Sequence, residues 1–256
     1  MSLYRVTKNK KDGDLMQYIA NVSYGKDSLA MLEIIKQHNM PLDRIVHVEI
    51  MATSTIPADL PPMMEFKHKA DKIIKNRYGI DVEHIHSNIT YEEHFYTKKT
   101  NKARKKENVG RIYGFPLLLG SWCNSELKVN VLKKIAKKDV VQYIGIASDE
   151  PNRFHNLTER KISPLVLHGI TEIECMEICK NLDLVSPIYT FSTRGGCWFC
   201  PKQPLNQLKF LRKQYPELWN LLLKWDSDSP FKFRPEYSVH ELDERFAQED
   251  LQCKLF

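Results

Sequence analysis

Ser23-Tyr24-Gly25-Lys26-Asp27-Ser28 follows the apolar run Tyr18-Ile19-Ala20-Asn21-Val22 and precedes Leu29-Ala30-Met31-Leu32-Glu33-Ile34-Ile35. The order reads as a strand, a tight glycine turn and the start of a helix. Such a junction aims several backbone N–H groups and the positive end of the helix dipole at one point, which suits an anion. Ser23 and Ser28 add hydroxyl donors and Lys26 a positive charge, while Gly25 lets an anion approach the backbone closely. The loop is not a Walker A loop, because Ala20 stands where that pattern needs its first glycine. The bland alternative is an ordinary strand-to-helix turn. The six residues in this setting point instead to a nucleotide phosphate chain.

Working outward, strand-like and helix-like segments alternate. Arg44–Ile50 reads as the second strand. Pro61-Pro62 opens a helix with Phe66, Ala70, Ile73 and Ile74 on its apolar face, and Gly79 stops it. Asp81–His86 reads as a third strand, a helix is predicted over Glu126–Lys137, and Val140–Ile146 is a short apolar run of the buried parallel kind. This order predicts an α/β fold, a Rossmann-like parallel sheet with helices on both faces. Ligands of such sheets sit at the carboxyl ends of the strands, where residues 23–28 fall. After Phe191 the character changes, with helices expected over Leu205–Gln214, Pro216–Trp225 and Val239–Leu251. The expected division is a nucleotide-binding domain over residues 1–190 and a helical module over 191–256.

The chain has 256 residues, of which 42% are hydrophobic, enough for one large domain or a domain plus a small module. No apolar run reaches the ~18 residues of a membrane span. The first residues lack the apolar stretch of a signal peptide, so a cytoplasmic location and reduced cysteines are expected. The net charge of +6 fits an anionic partner without choosing between nucleotide and nucleic acid. Lys98, Lys99, Lys102, Arg104, Lys105 and Lys106 crowd into the segment Lys98–Lys106, with Tyr96 and Tyr113 flanking it. That strip is either a solvated loop or a phosphate-contacting surface whose tyrosines stack on bases. Asp149-Glu150 suits either a helix cap or Mg²⁺ on a phosphate chain.

Cys197-Trp198-Phe199-Cys200, after Gly195-Gly196 and before Pro201, has the spacing of a metal knuckle. Two thiolates do not complete a site, and no second Cys-x-x-Cys exists. Cys175 and Cys179 are four apart on one helical face and read as small core residues. Cys253 lies on the tail. Cys123 sits in a loop just before a helix, a place that stabilises thiolates. A redox pair is the rival reading of Cys197 and Cys200.

The loop at residues 23–28 resembles the S-x-G-K-D-S loop of the ATP-pyrophosphatase families. Trp122-Cys123-Asn124-Ser125-Glu126-Leu127-Lys128 is similar to a W-C-x-x-x-L-K segment of the phosphoadenosine phosphosulfate (PAPS) reductase family. Gly145-Ile146-Ala147-Ser148-Asp149-Glu150-Pro151-Asn152-Arg153 resembles that family's G-I-R-x-D-E-x-x-R. Ser163-Pro164-Leu165, His168–Glu172 and Gly196–Pro201 follow in its order, so the resemblance runs from about residue 17 to about 225. It implies an adenine-nucleotide α-hydrolase fold with Lys26 and Asp27 as catalytic residues. Ser23, Gly25, Lys26, Asp27, Ser28 and Glu49 would bind the nucleotide. In cysteine-rich branches it also implies a [4Fe-4S] cluster beside that pocket, and Cys123, Cys197 and Cys200 map to its ligands, Asn124 replacing a neighbouring cysteine. The departures are Ala147 for the Arg of G-I-R and Glu49-Ile50-Met51 for D-T-G. Gln252-Cys253-Lys254-Leu255-Phe256 stands in place of the reductases' E-C-G-L-H. Lys26-Asp27 resembles the ATP-splitting form of the loop, so the resemblance implies ATP.

The expected activity is therefore ATP-dependent adenylylation of an acceptor, with nucleic acid as a candidate, coupled to sulfur transfer. The alternatives are reduction of adenylyl sulfate (APS) or PAPS, and a nucleotide- or nucleic-acid-binding module with a structural zinc.

Overall fold

The computed structural model describes residues 16–101, 105–118, 120–190 and 195–252. Lys102, Arg104 and Cys253 lie outside them.

Alternation decides the sheet. Five parallel strands, β1 (Gln17–Asn21), β2 (Arg44–Glu49), β3 (Val82–His86), β4 (Val140–Ile144) and β5 (Lys161–Ile162), lie in the order β3-β2-β1-β4-β5. Successive side chains of a strand point to opposite faces. Tyr18, Ala20, Ile45, Val141 and Tyr143 enter the larger core. There they meet α1 (Lys26–Gln37), α2 (Pro61–Tyr78) and α7 (Glu172–Asn181). Ile19, Val46 and Val140 turn to the other face and pack with Ile85 and with Ile135 of α5 (Asn130–Ile135). Each fully buried Ile or Leu contributes roughly 1.5–3 kcal/mol. The expected Rossmann-like sheet, covered on both faces, is the fold observed.

Residues 28–35 of α1 are all buried, including Glu33. That carboxylate accepts two hydrogen bonds from Arg77, each 2.7 Å, and one from Tyr78 at 3.1 Å. These contacts keep it charged inside the protein. Gly79 ends α2 at φ +73°, donating to the Lys75 carbonyl, the left-handed stop expected of it.

The chain forms two compact units. The first gathers the described residues of Met1–Glu49, Pro61–His86 and Asn130–Gly195; the second those of Ile50–Leu60, Ser87–Val129 and Gly196–Phe256. A single division near residue 190 therefore misses two earlier segments that fold with the C-terminal one. The reason is aromatic burial. Tyr91 and Phe95 of α3 (Tyr91–Tyr96), together with Phe115, find their partners in Trp198, Phe199, Trp225 and Phe233. Around them pack α8 (Leu205–Gln214), α9 (Pro216–Asp228) and α10 (Val239–Gln252). Trp225 is fully buried, and its indole N–H donates to Glu92 at 3.0 Å.

The helix expected over 126–137 is broken. A three-residue helical turn, α4 (Trp122–Asn124), runs into a π turn at Ser125–Val129 before α5 begins. Cys123 thus sits inside a helical turn rather than in the loop before one. Among the described residues no helix is long and apolar enough to cross a membrane.

Candidate functional site

The loop of the first unit is closed on itself by Ser28. Its hydroxyl accepts from the Ser23 backbone at 3.1 Å and from the Ser23 hydroxyl at 3.2 Å, and donates to the Gly25 carbonyl at 2.9 Å. Gly145, just past β4, backs the loop so closely that a Cβ there would lie 2.7 Å from the Ser28 nitrogen. Lys26 opens α1, and its N–H donates to the Tyr189 hydroxyl at 3.0 Å.

Tyr24 takes φ 56°, a left-handed backbone that side chains seldom adopt. Its side chain is anchored accordingly. The hydroxyl donates to Asp71 and meets His84 Nε2 at 3.1 Å, and the ring packs edge-on against His47. Glu49 belongs to this network, accepting from Lys67 at 2.9 Å and lying 3.4 Å from His84 Nδ1. Burial pushes its pKa up, but Lys67, His47 and His84 outweigh that and lower it. Its observed partners are thus Lys67 and His84 of the protein itself.

Lys26 Nζ is held by Asp27 at 2.9 Å and Glu172 at 2.5 Å. Burial opposes its charge, yet the hydrogen bonds it donates to these carboxylates raise its pKa above the ordinary lysine value. Asp27 moves up as well, because burial and the nearby Glu172 and Glu150 exceed the pull of Lys26. Lys26 is therefore charged and already neutralised. Asp149 and Glu150 are spent on structure: Asp149 accepts the Glu172 N–H at the head of α7, and Glu150 accepts the Ala147 N–H and pairs with Arg153. Of the pair, only Asp149 meets a helix start, and that helix is α7 rather than the turn that follows the pair.

Cys175 and Cys179 are fully buried on α7 in the larger core. Burial, then the charge of Asp27, pushes the Cys179 thiol up to about 12. They are packing residues.

In the second unit, Cys197-Trp198-Phe199-Cys200 is a tight knuckle. Cys200 N donates to the Cys197 carbonyl at 3.0 Å, which also accepts from Gln203 Nε2 at 3.0 Å. Trp198 and Phe199 are buried and pin the turn. Trp198 donates from its backbone to Ala58 and from its indole to Pro57, both at 3.0 Å. Cys123 is brought to this knuckle, for its thiol is raised by burial and then by the charge of Cys200. The Cys197 thiol is pushed up to about 12, mainly by burial, with Cys200 and Cys123 adding to it and Lys128 opposing. The helix start therefore does not make Cys123 a ready thiolate; burial wins. None of the three thiols is in a disulfide. Among the described residues they do not meet the 4.8 Å mutual spacing of ligands gathered on one ion. Sulfurs on ~2.3 Å bonds to a single tetrahedral zinc sit closer, about 4 Å apart.

The basic strip is partly committed. Lys99 lies 5.3 Å from the Tyr113 ring centroid and 4.3 Å from that of Phe231, and Tyr96 donates to Asp228. Lys98, Lys105 and Lys106 are exposed. Sequence reasoning missed Tyr91, whose capping-box signal, Thr90 with Glu93, was present in the chain.

No family model matches this chain. An uncharacterized protein of Methanocaldococcus jannaschii is 23% identical over 165 residues, 58% of this chain and 34% of that protein. The chain thus spans about a third of the length of that relative. Among solved structures, the U34-tRNA thiolase NcsA from Methanococcus maripaludis, with its [4Fe-4S] cluster, aligns over 87% of this chain and 72% of that one. The TM-score is 0.39 at 15% identity, a likeness too loose to speak to chemistry.

Proposed function

We propose that this protein is an ATP-dependent sulfurtransferase with a PP-loop nucleotide site and a three-cysteine iron–sulfur centre. The observation that carries the nucleotide half is Lys26, held charged at the first turn of α1 in a loop closed by Ser23 and Ser28. The phosphate chain of ATP would take Lys26 Nζ from Asp27 and Glu172, so that one anion replaces another. Ser23, Gly25, Asp27 and Ser28 would line the pyrophosphate, with Mg²⁺ carried in by the nucleotide. An acceptor oxygen attacks the α-phosphate, pyrophosphate leaves, and a sulfur nucleophile then displaces AMP from the acceptor carbon.

Cys123, Cys197 and Cys200 would hold a [4Fe-4S] cluster, a reading supported by the mutual electrostatic influence of the three thiols. When bound, such a cluster would supply an iron open to the transferred sulfur. As acceptor we propose a nucleic acid, on the strength of the exposed Lys98, Lys105 and Lys106 and the net charge of +6.

Calorimetry with ATP and with PAPS tests the nucleotide half. ATP should bind, and Lys26→Ala should weaken it by ~1.5–3 kcal/mol, roughly 10- to 150-fold, as one charge-assisted contact is lost. Tight binding of PAPS with no binding of ATP would hand the reading to the reductases.

A further inference from the structure

Tyr91 is the first residue of α3 and is fully buried. Its position is fixed from both sides. The capping box of Thr90 and Glu93 sets the first turn of the helix, and Tyr91 N donates to the Met51 carbonyl at 2.8 Å. Its ring centroid lies 4.1 Å from that of Phe199, inside the Cys197–Cys200 knuckle, and 5.0 Å from that of Trp122, the neighbour of Cys123.

The hydroxyl is the anomaly. It is buried and has no hydrogen-bond partner among the described residues. A buried tyrosine hydroxyl normally finds one, because the orphaned group keeps its full desolvation penalty. Nothing in the local fold demands a phenol, for phenylalanine would fill the same aromatic slot beside Phe95 and Trp225. What lies within electrostatic reach of the oxygen is sulfur. After burial itself, the charges of Cys123, Cys197 and Cys200 are what raise its pKa. An unpaired, buried O–H donor thus sits on a ring packed against the neighbours of these cysteines, Trp122 and Phe199.

We propose that the Tyr91 hydroxyl donates a hydrogen bond to a sulfur of the metal centre held by Cys123, Cys197 and Cys200, and so tunes that centre's reduction potential and its retention. This rests on the iron–sulfur reading above. Hydrogen bonds to cluster sulfurs stabilise the more negative, reduced state and raise the potential. Tyr91 is then a positioning and tuning residue rather than a ligand.

The test is Tyr91→Phe in the full chain, reconstituted anaerobically with iron and sulfide beside the wild type. The variant should take up the same iron and sulfide, show a more negative reduction potential, and lose its cluster to a chelator roughly tenfold faster, the size expected of one charge-assisted hydrogen bond. Without metal the order should invert, and apo Tyr91→Phe should unfold at higher denaturant than the apo wild type. A variant with unchanged potential and unchanged release would overturn the proposal while leaving the cluster standing. A tyrosinate-to-iron charge-transfer band lost in the variant would also overturn it, since the phenol would then be a ligand. A wild type that takes up no iron and sulfide would bring down the cluster reading itself, and this proposal with it.

Discussion

Tyr24 shows how a single residue can be legible in type and opaque in role. The turn between Ser23 and Lys26 announces an anion loop, but a tyrosine at φ 56° is held there by Asp71 and His84, 47 and 60 residues away. No local pattern carries such a contact. His47 belongs to the same network and yields a prediction. Its Nδ1 lies 2.8 Å from the Val22 carbonyl, and burial, then Lys67, lowers its pKa to about 3 from 6.5. Between those two values the unfolded chain binds a proton that the folded one refuses, so stability rises with pH across the window. From pH 7 to pH 5 this one group should remove about 2 kcal/mol, near 1.4 kcal/mol per unit once the unfolded histidine is charged. Urea midpoints at both pH values check it. His47→Asn keeps a donor for Val22 and cannot titrate, so its pH dependence should be shallower by that amount. Equal slopes in the two proteins would show that His47 charges freely in the fold.

At the scale of elements, the ends of strands and helices matter most. β1, α1, α2 and β3 follow the sequence reading to within a few residues, because glycine, proline and apolar spacing mark their limits. β5 is too short to leave a pattern, and the π turn after Cys123 has no compositional mark. The capping box of α3 did have one, and its neighbour Tyr91 was legible only as an aromatic, since its setting depends on Phe199 far along the chain. Gly145 is likewise unremarkable in sequence, yet its contact with the loop is tight. An alanine Cβ would come 2.8 Å from the Ser28 Cα and 2.9 Å from the Asp27 carbonyl carbon, both rigid backbone. Gly145→Ala should shift the loop at an overpacking cost of ~1–3 kcal/mol, felt as at least tenfold weaker ATP binding with the fold retained. Calorimetry alongside a thermal melt measures both, and undiminished affinity would mean that the loop position is irrelevant to the nucleotide.

On the scale of the whole molecule, the first unit is close to what its alternating pattern predicts, whereas the second is assembled from three stretches of chain. A linear division cannot reveal that, because the aromatic side chains of residues 87–129 carry no sign of where they will be buried. The grouping of Cys123 with Cys197 and Cys200 came from likeness to a family pattern, and it is the interleaved unit that brings them together. Cys175 and Cys179 went to the core as their helical spacing suggested. Iron and acid-labile sulfide, counted per chain in protein purified anaerobically, test the central claim most directly. The account predicts about four of each per chain, with visible absorbance that disappears in Cys123→Ser as in Cys197→Ser. One zinc per colourless chain, or a cluster indifferent to the loss of Cys123, would contradict it.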